Sequence, residues 1–327
     1  MLKRIILALA GLLGVAVLLL ALGLAWAHIA VRREAAPLPT LAAVRAAPAA
    51  GEGGLPVRLS LINTASQAMP RATVLDPSRD PSPDEPYVMS HPSFVLEWAD
   101  GRLLLVDAGM TPDAAAAFGR PLEQLGGAAA MQPIAAAAEV LGDASGKVGA
   151  VVFTHLHTDH VGGIGALCAR GKRAVQVPMT EAQAQRTNYT TQPGMDLLDD
   201  AACAHRAELT GGPLFPVPNF PGVFVIDAGG HTPGSQIVLA TVQGSDGLRQ
   251  YAFTGDIVNN IDGITSDVPK PFLYRTFIVP ESEGRLSELR AFLRQLHDEA
   301  GYTLLVSHDQ RALEASGVPA WQASAGG

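Results

Sequence analysis

Three histidines and an aspartate, His155, His157, Asp159 and His160, fall within six residues of the stretch VVFTHLHTDHVGG, in a chain with nine histidines. Imidazole nitrogens and a carboxylate oxygen together suit zinc, and also iron and related ions. Successive residues of a strand face opposite ways, so His155 and His157, two apart at the end of an apolar strand, direct both rings to one side. Asp159 and His160 follow as the chain leaves that strand. Gly162 and Gly163 then let the backbone turn tightly into a helix. A lone histidine on an apolar strand is usually a satisfied core or surface residue. Four ligand-type residues behind a strand free of polar residues over 148–153 call for a metal instead.

The elements that position this cluster are legible from pattern. Strand-like runs occupy 58–65, 93–98 and 102–109, bounded by Gly, Pro and Asp turns. The proline-rich stretch 76–88 reads as a loop, and His91, just before Pro92, as part of a loop ahead of a strand. Ala-rich helical segments are expected near 112–118 and 133–141, and a helix at about 161–170. AVQVP is a strand, while 180–209 is polar and helical or irregular; the long connection 187–221 is a candidate lid or binding loop. VFVIDAG, SQIVLATV, YAFTGD and TLLVSHD are further strands, with a helix of regular apolar spacing at 281–300. Strands first, then strands alternating with helices in two successive halves, predict two packed sheets with helices outside.

The N-terminus is different in kind. Residues 5–27 carry no charge and as a helix would be roughly 35 Å long, enough to cross a bilayer core of about 30 Å. Secretory apolar regions usually run about 7–15 residues, so the length favours an uncleaved anchor over a cleaved signal peptide, for which Ala25-Trp26-Ala27 would be the cleavage site. Lys3 and Arg4 on one flank balance Arg32 and Arg33 on the other. The short N-terminal tail leans towards an exported body. The expected organisation is an anchor over 1–33, an Ala/Pro/Gly-rich tether over 34–56 and one catalytic domain over 57–327.

Beyond Arg33, 19 basic residues face 31 acidic ones, a net of −12. So acidic a body is a poor nucleic-acid binder, because phosphate contacts need basic surface. The expected partners are a small-molecule substrate and, through the helix, a membrane. Cys168 and Cys203 form no CxxC motif; a pair in an exported domain and two unpaired thiols both fit.

The spacing His-x-His-x-Asp-His resembles the metallo-β-lactamase fold superfamily of hydrolases. AGGHTPGSQ with His231, FTGD with Asp256, LLVSHD with His308 and LLVDAG with Asp107 extend the resemblance over about 58–310. It implies an α/β (α+β) fold, a four-layer αβ/βα sandwich with metals at one edge between the sheets. It also implies that His155, His157 and His231 hold a first metal, Asp159, His160 and His308 a second, and that Asp256 bridges them. Asp159 and Asp256 would be the catalytic carboxylates. Two Zn2+ ions are expected, with Fe or Mn as alternatives. Water between them loses a proton near neutral pH and attacks a carbonyl. Asp107 is expected to support a ligand imidazole from behind, or to be a plain turn aspartate; Thr154 and Thr232 neighbour the ligands.

GHTPG followed by Gln, together with SHDQ, resembles the quorum-quenching lactonases, which open acyl-homoserine lactones. Those enzymes carry a tyrosine three residues beyond the bridging aspartate, where this chain has Asn259; Tyr274 is the candidate substitute. The expected reaction is therefore lactone or ester hydrolysis. A glyoxalase-II-like thioesterase would need a basic pocket from Lys172, Arg173 and Lys270. β-Lactam hydrolysis and nuclease activity fit less well. Alternatives of other classes are a mononuclear iron persulfide dioxygenase and a metal-free binding module. His28, His205 and His297 are set aside as boundary or solvated residues.

Overall fold

The computed structural model describes residues 1–32, 36–47 and 54–323. A long helix, α1 (Leu2–Arg32), precedes a short one, α2 (Leu41–Ala46). Then come β1 (Pro56–Met69), β2 (Tyr87–Trp98), β3 (Leu103–Val106), α3 (Pro112–Gln124), β4 (Gln132–Pro133), α4 (Ala137–Leu141) and β5 (Val148–Val152). These are followed by α5 (Thr158–Val161), α6 (Ile164–Gly171), β6 (Val175–Met179), α7 (Glu181–Gln185), α8 (Gln192–Asp200) and β7 (Ala204–Glu208). The second half has β8 (Phe215–Pro216), β9 (Val223–Asp227), β10 (Gln236–Gly244), β11 (Gly247–Gly255), α9 (Asp262–Thr265), α10 (Glu283–Ala300), β12 (Thr303–Val306) and α11 (Gln310–Ala315). A turn of π-helix at Tyr274–Ile278 lies between α9 and α10.

One sheet has seven strands in the order β4-β1-β2-β3-β5-β6-β7; the other has five, β12-β11-β10-β9-β8. Side chains alternate between faces, and both faces are covered. In β3, Leu103 and Leu105 pack outward with Ile164 and Leu167 of α6 and Leu198 of α8. Leu104 and Val106 pack inward, with Phe94, Val225, Phe253 and Leu305, into the core between the sheets. On the far side Ile237 and Leu239 of β10 meet Leu286, Leu289, Leu293 and Leu296 of α10, spaced by three and four as one helical stripe. The four layers are thus helices, sheet, sheet and helix. Strands buried on both faces must be apolar throughout, which is why LLLV and VGAVV carry no alternation.

The structure departs from expectation in several places. β2 begins at Tyr87, so His91-Pro92 is inside a strand rather than a loop. Proline is tolerated there because Pro92 pairs with Asn63, where the register of β1 shifts before Ser66. The Asn63 side chain accepts the His91 N–H at 3.0 Å. The expected helix over 133–141 is reduced to α4, because Gln132 and Pro133 pair with β1 as β4. Of the Ala/Pro/Gly-rich stretch, residues 34, 35 and 48–53 lie outside the described residues, as does Arg33. Within it, Thr40 caps α2 by accepting from Ala43 N at 3.1 Å, and Val44 is buried in the α10 layer. Cys168 and Cys203 form a disulfide that ties α6 to the chain entering β7.

Candidate metal centre

β3, β5, β9, β11 and β12 run the same way, and each leads into a chemistry-bearing residue at one edge of the sandwich. Asp107 follows β3, the histidine cluster follows β5, His231 follows β9, Asp256 follows β11 and His308 follows β12. β5 ends at Val152, so His155 and His157 lie just past the strand in extended chain. Their rings are still on one side, with centroids 4.5 Å apart. Asp159 and His160 are in α5. Gly162 and Gly163 have ordinary negative φ values of −58° and −81°. What Gly163 supplies is space: a Cβ there would lie 2.2 Å from the Ala108 carbonyl oxygen. That close approach lets Ala108 N donate to His160 O at 2.8 Å, fixing the helix start against β3.

All seven expected residues converge. The His231 ring lies 4.8 and 4.9 Å from those of His155 and His157. Asp256 Oδ2 is 3.8 Å from His155 Nε2, 3.6 Å from His231 Nε2 and 3.0 Å from His308 Nε2. Asp256 Oδ1 is 3.3 Å from His160 Nε2. Asp159 Oδ2 is 3.6 Å from His160 Nε2 and 3.4 Å from His308 Nε2. Three groups have donor atoms close enough to hold a cation: His155, His157, His231 and Asp256; His160, Asp256 and His308; and His91, Asp159 and His308. The fit to metal is direct. Nε2 of His155, His157 and His231 is buried in each case without a hydrogen-bond partner. Three orphaned nitrogens facing one point are satisfied together by a cation.

The outward nitrogens are held. His160 Nδ1 donates to Asp107 Oδ2 at 2.8 Å, His231 Nδ1 to Glu281 Oε1 at 2.6 Å and His308 Nδ1 to the Ser90 carbonyl at 2.7 Å. Asp107 also accepts from Thr154 N and Thr154 Oγ1, both at 2.8 Å, and has φ 59°. It is therefore a support for the ligand turn and not a plain turn residue. Thr154 shares in that support, whereas the Thr232 hydroxyl is 2.8 Å from that of Ser235. With Nδ1–H fixed outward, each Nε2 lone pair points inward.

Burial holds His155, His157 and His231 below the usual histidine range, His157 down to about 4. Burial also pulls on His160 and His308, but the facing carboxylates outweigh it. Asp107, Asp159 and Asp256 push His160 well up, and Asp256 and Asp159 raise His308. Burial would raise Asp159 and Asp256, yet the histidines around them, His160 for Asp159 and His308 for Asp256 foremost, hold both well below the usual carboxylate range.

Sequence reasoning placed His91 only in a loop, and the structure puts its Nδ1 3.1 Å from Asp159 Oδ2. It missed Glu281, and it offered Lys270 to a substrate pocket. Lys270 is instead buried, with Nζ 2.6 Å from Glu281 Oε1. Lys172 and Arg173 lie on the surface beside the disulfide, so no basic pocket forms from the three. Tyr274 approaches the centre. Its ring centroid is 5.4 Å from Lys270 Nζ, and burial followed by Glu281, Asp256 and Asp159 pushes its phenol well above the usual value. His28 touches the Tyr274–Ile278 turn, His205 is exposed on β7 rather than on a helix, and His297 caps the Tyr302 carbonyl at 2.9 Å.

The family model described as the metallo-beta-lactamase superfamily matches residues 86–308. The chain belongs to that superfamily, and its His/Asp clusters make it a divalent-metal-dependent hydrolase of that kind. By sequence, no curated protein matches it. Its fold is similar to that of an N-acyl homoserine lactone hydrolase with N-hexanoyl-L-homoserine at the catalytic metal centre (16% identity, TM-score 0.57, 80% of this chain and 96% of that one). It is also similar to a B. thuringiensis AiiA mutant with N-decanoyl-L-homoserine at the active site (17% identity, TM-score 0.56, 80% and 96%). A third neighbour is the hydrolase AbOPH (15% identity, TM-score 0.50, 76% and 86%).

Proposed function

We propose that the chain is a dinuclear hydrolase, with zinc as its metal, that opens a lactone or a similar ester. His155, His157 and His231 hold one ion, Asp159, His160 and His308 the other, and Asp256 reaches both. The observation that carries this reading is Asp256, whose two oxygens face both clusters at 3.0–3.8 Å. The imidazoles of His155, His157 and His231, kept neutral by burial, together with ionised carboxylates, are the donor set zinc favours. When bound, such a pair supplies an acidified water and a Lewis acid for the carbonyl.

The chain's own residues set the rest. Asp159 and Asp256 stay ionised, so they offset cationic charge and do not serve as acids. His157 is half-buried while the other ligands are buried, so the site opens past His157. Tyr274 lies against Lys270, whose Nζ is 5.4 Å from its ring centroid. Its O–H is the donor available to a carbonyl oxygen that gains negative charge. The raised phenol keeps that proton at neutral pH. Asn259 thus takes the sequence position of the lactonase tyrosine, and Tyr274 is a tyrosine brought from elsewhere in the chain. The scattered lysine and arginine candidates favour an ester over a glutathione thioester.

We place the catalytic body outside the cytoplasm, held by an uncleaved α1. The disulfide Cys168–Cys203 fits an oxidising compartment.

The test is the full chain in detergent, assayed against lactones, simple esters, thioesters, β-lactams and phosphodiesters with metal content measured in parallel. Two zinc ions per chain and preferential lactone or ester turnover are expected. Metal-loaded protein that leaves lactones and esters intact, or that consumes oxygen, overturns the reading.

A further inference from the structure

The turn that carries Tyr274 towards the metal centre has a second face. Phe272, Leu273, Phe277 and Ile278 are between 54% and 67% exposed, four large apolar side chains within seven residues. Tyr189 extends the patch, its hydroxyl 3.4 Å from the Ile278 carbonyl. The chain after Tyr189 packs beside the ligand turn, where a Cβ on Gly194 would fall 2.0 Å from Leu156 O. The apolar rim therefore borders the side on which the site opens. Exposed apolar patches of this kind mark contact surfaces.

The end of α1 indicates what the patch contacts. Leu24 and His28 are half-buried and Ala27 and Val31 buried, a stripe of helical spacing that docks on the body. Along it, His28 Nε2 donates to the Thr276 carbonyl at 3.0 Å, inside the same turn. An 18-residue window of the apolar helix has mean hydropathy 3.0 and is unburied. From Lys3 to Leu24 the helix would run about 33 Å, close to the thickness of a bilayer core. Docking thus begins where the helix would leave the hydrocarbon. Trp26, 61% exposed, falls at the level where membrane proteins place interfacial aromatics. His28 is about one helical turn beyond Leu24, which brings the Tyr274–Ile278 turn to that level too.

We propose that this rim inserts into the bilayer surface, and that the site takes a carbonyl ester with a long aliphatic tail directly from the membrane. The substrate half rests on the hydrolase reading above; the membrane half does not. One side of the turn meets the acyl chains while Tyr274, on the other, faces the carbonyl.

The full chain in phosphatidylcholine–phosphatidylglycerol liposomes with brominated acyl chains tests it. Phe277→Trp in a Trp26→Phe background is the reporter, because the remaining tryptophans, Trp98 and Trp321, are buried. Its emission is expected to fall by at least half with shallow-brominated lipid. Leu248→Trp in the same background, at the far end of β11, is expected to show no quenching. An unquenched Phe277→Trp, or equal quenching at both positions, overturns the proposal whatever the enzyme hydrolyses. Combined Phe272→Ser, Leu273→Ser and Phe277→Ser is expected to lower the ratio of long-acyl to short-acyl ester turnover about tenfold. An unchanged ratio overturns the substrate half. No ester turnover in the parent chain counts against the hydrolase reading and leaves the quenching result to stand by itself.

Discussion

His231 Nδ1 and Lys270 Nζ converge on one oxygen, Glu281 Oε1, each at 2.6 Å. Lys270 also donates to the backbone carbonyl of Asp256. A single buried ion pair therefore steadies the ring of one candidate ligand and the backbone of another. Burial pushes Glu281 up to about 7 despite Lys270 beside it.

Glu281→Gln keeps the shape but leaves the Lys270 charge uncompensated and weakens the hold on His231. Metal affinity is expected to fall about 10- to 100-fold. Stability is expected to drop by about 3 kcal/mol, as for a broken buried pair. Zinc titration and denaturant melts of the same preparation check both, and an unchanged affinity would show that Glu281 does not orient His231.

His157→Ala removes a half-buried candidate ligand without opening the core. One of two metal ions and most turnover are expected to be lost, with the circular dichroism spectrum retained. Metal analysis decides it, since two retained ions would remove His157 from the ligand set.

Acidification is expected to empty the centre in two stages. A histidine binds metal when neutral, so the group with the higher pKa loses its metal at the higher pH. His160 and His308 are raised, whereas His157 is lowered to about 4. Dialysis over a falling pH series should first strip the Asp159, His160 and His308 cluster, then the His155, His157 and His231 cluster. Loss of both ions in one step would contradict this.

Gly163→Ala sets a methyl group 2.2 Å from the Ala108 carbonyl, while at Gly165 nothing lies within 4 Å. The first change is expected to cost about 1–3 kcal/mol as overpacking. Gly165→Ala, in a helix, is expected to be neutral or to gain up to about 1 kcal/mol. Urea unfolding midpoints of the two variants provide the comparison.

Much of the fold was legible because its strands are short apolar runs between turn residues, and 281–300 shows its helical stripe plainly. β2 was cut short because Pro92 looks like a strand breaker until its partner, the register shift beside Asn63, is known. With that cut, His91 lost its place in the site. The glycines of the ligand turn were assigned to the turn, but the space they leave depends on Ala108, about 55 residues earlier in the chain.

The sequence by itself determined the local half of the centre. Strand periodicity and tight spacing fix how His155, His157, Asp159 and His160 lie relative to one another, and motif resemblance added His231, Asp256 and His308. Only the tertiary structure decided what stands behind those candidate ligands. His91, Lys270, Tyr274 and Glu281 belong to no local pattern. Their roles come from burial and from hydrogen bonds across long chain separations, and such contacts exist only once two sheets have closed on each other.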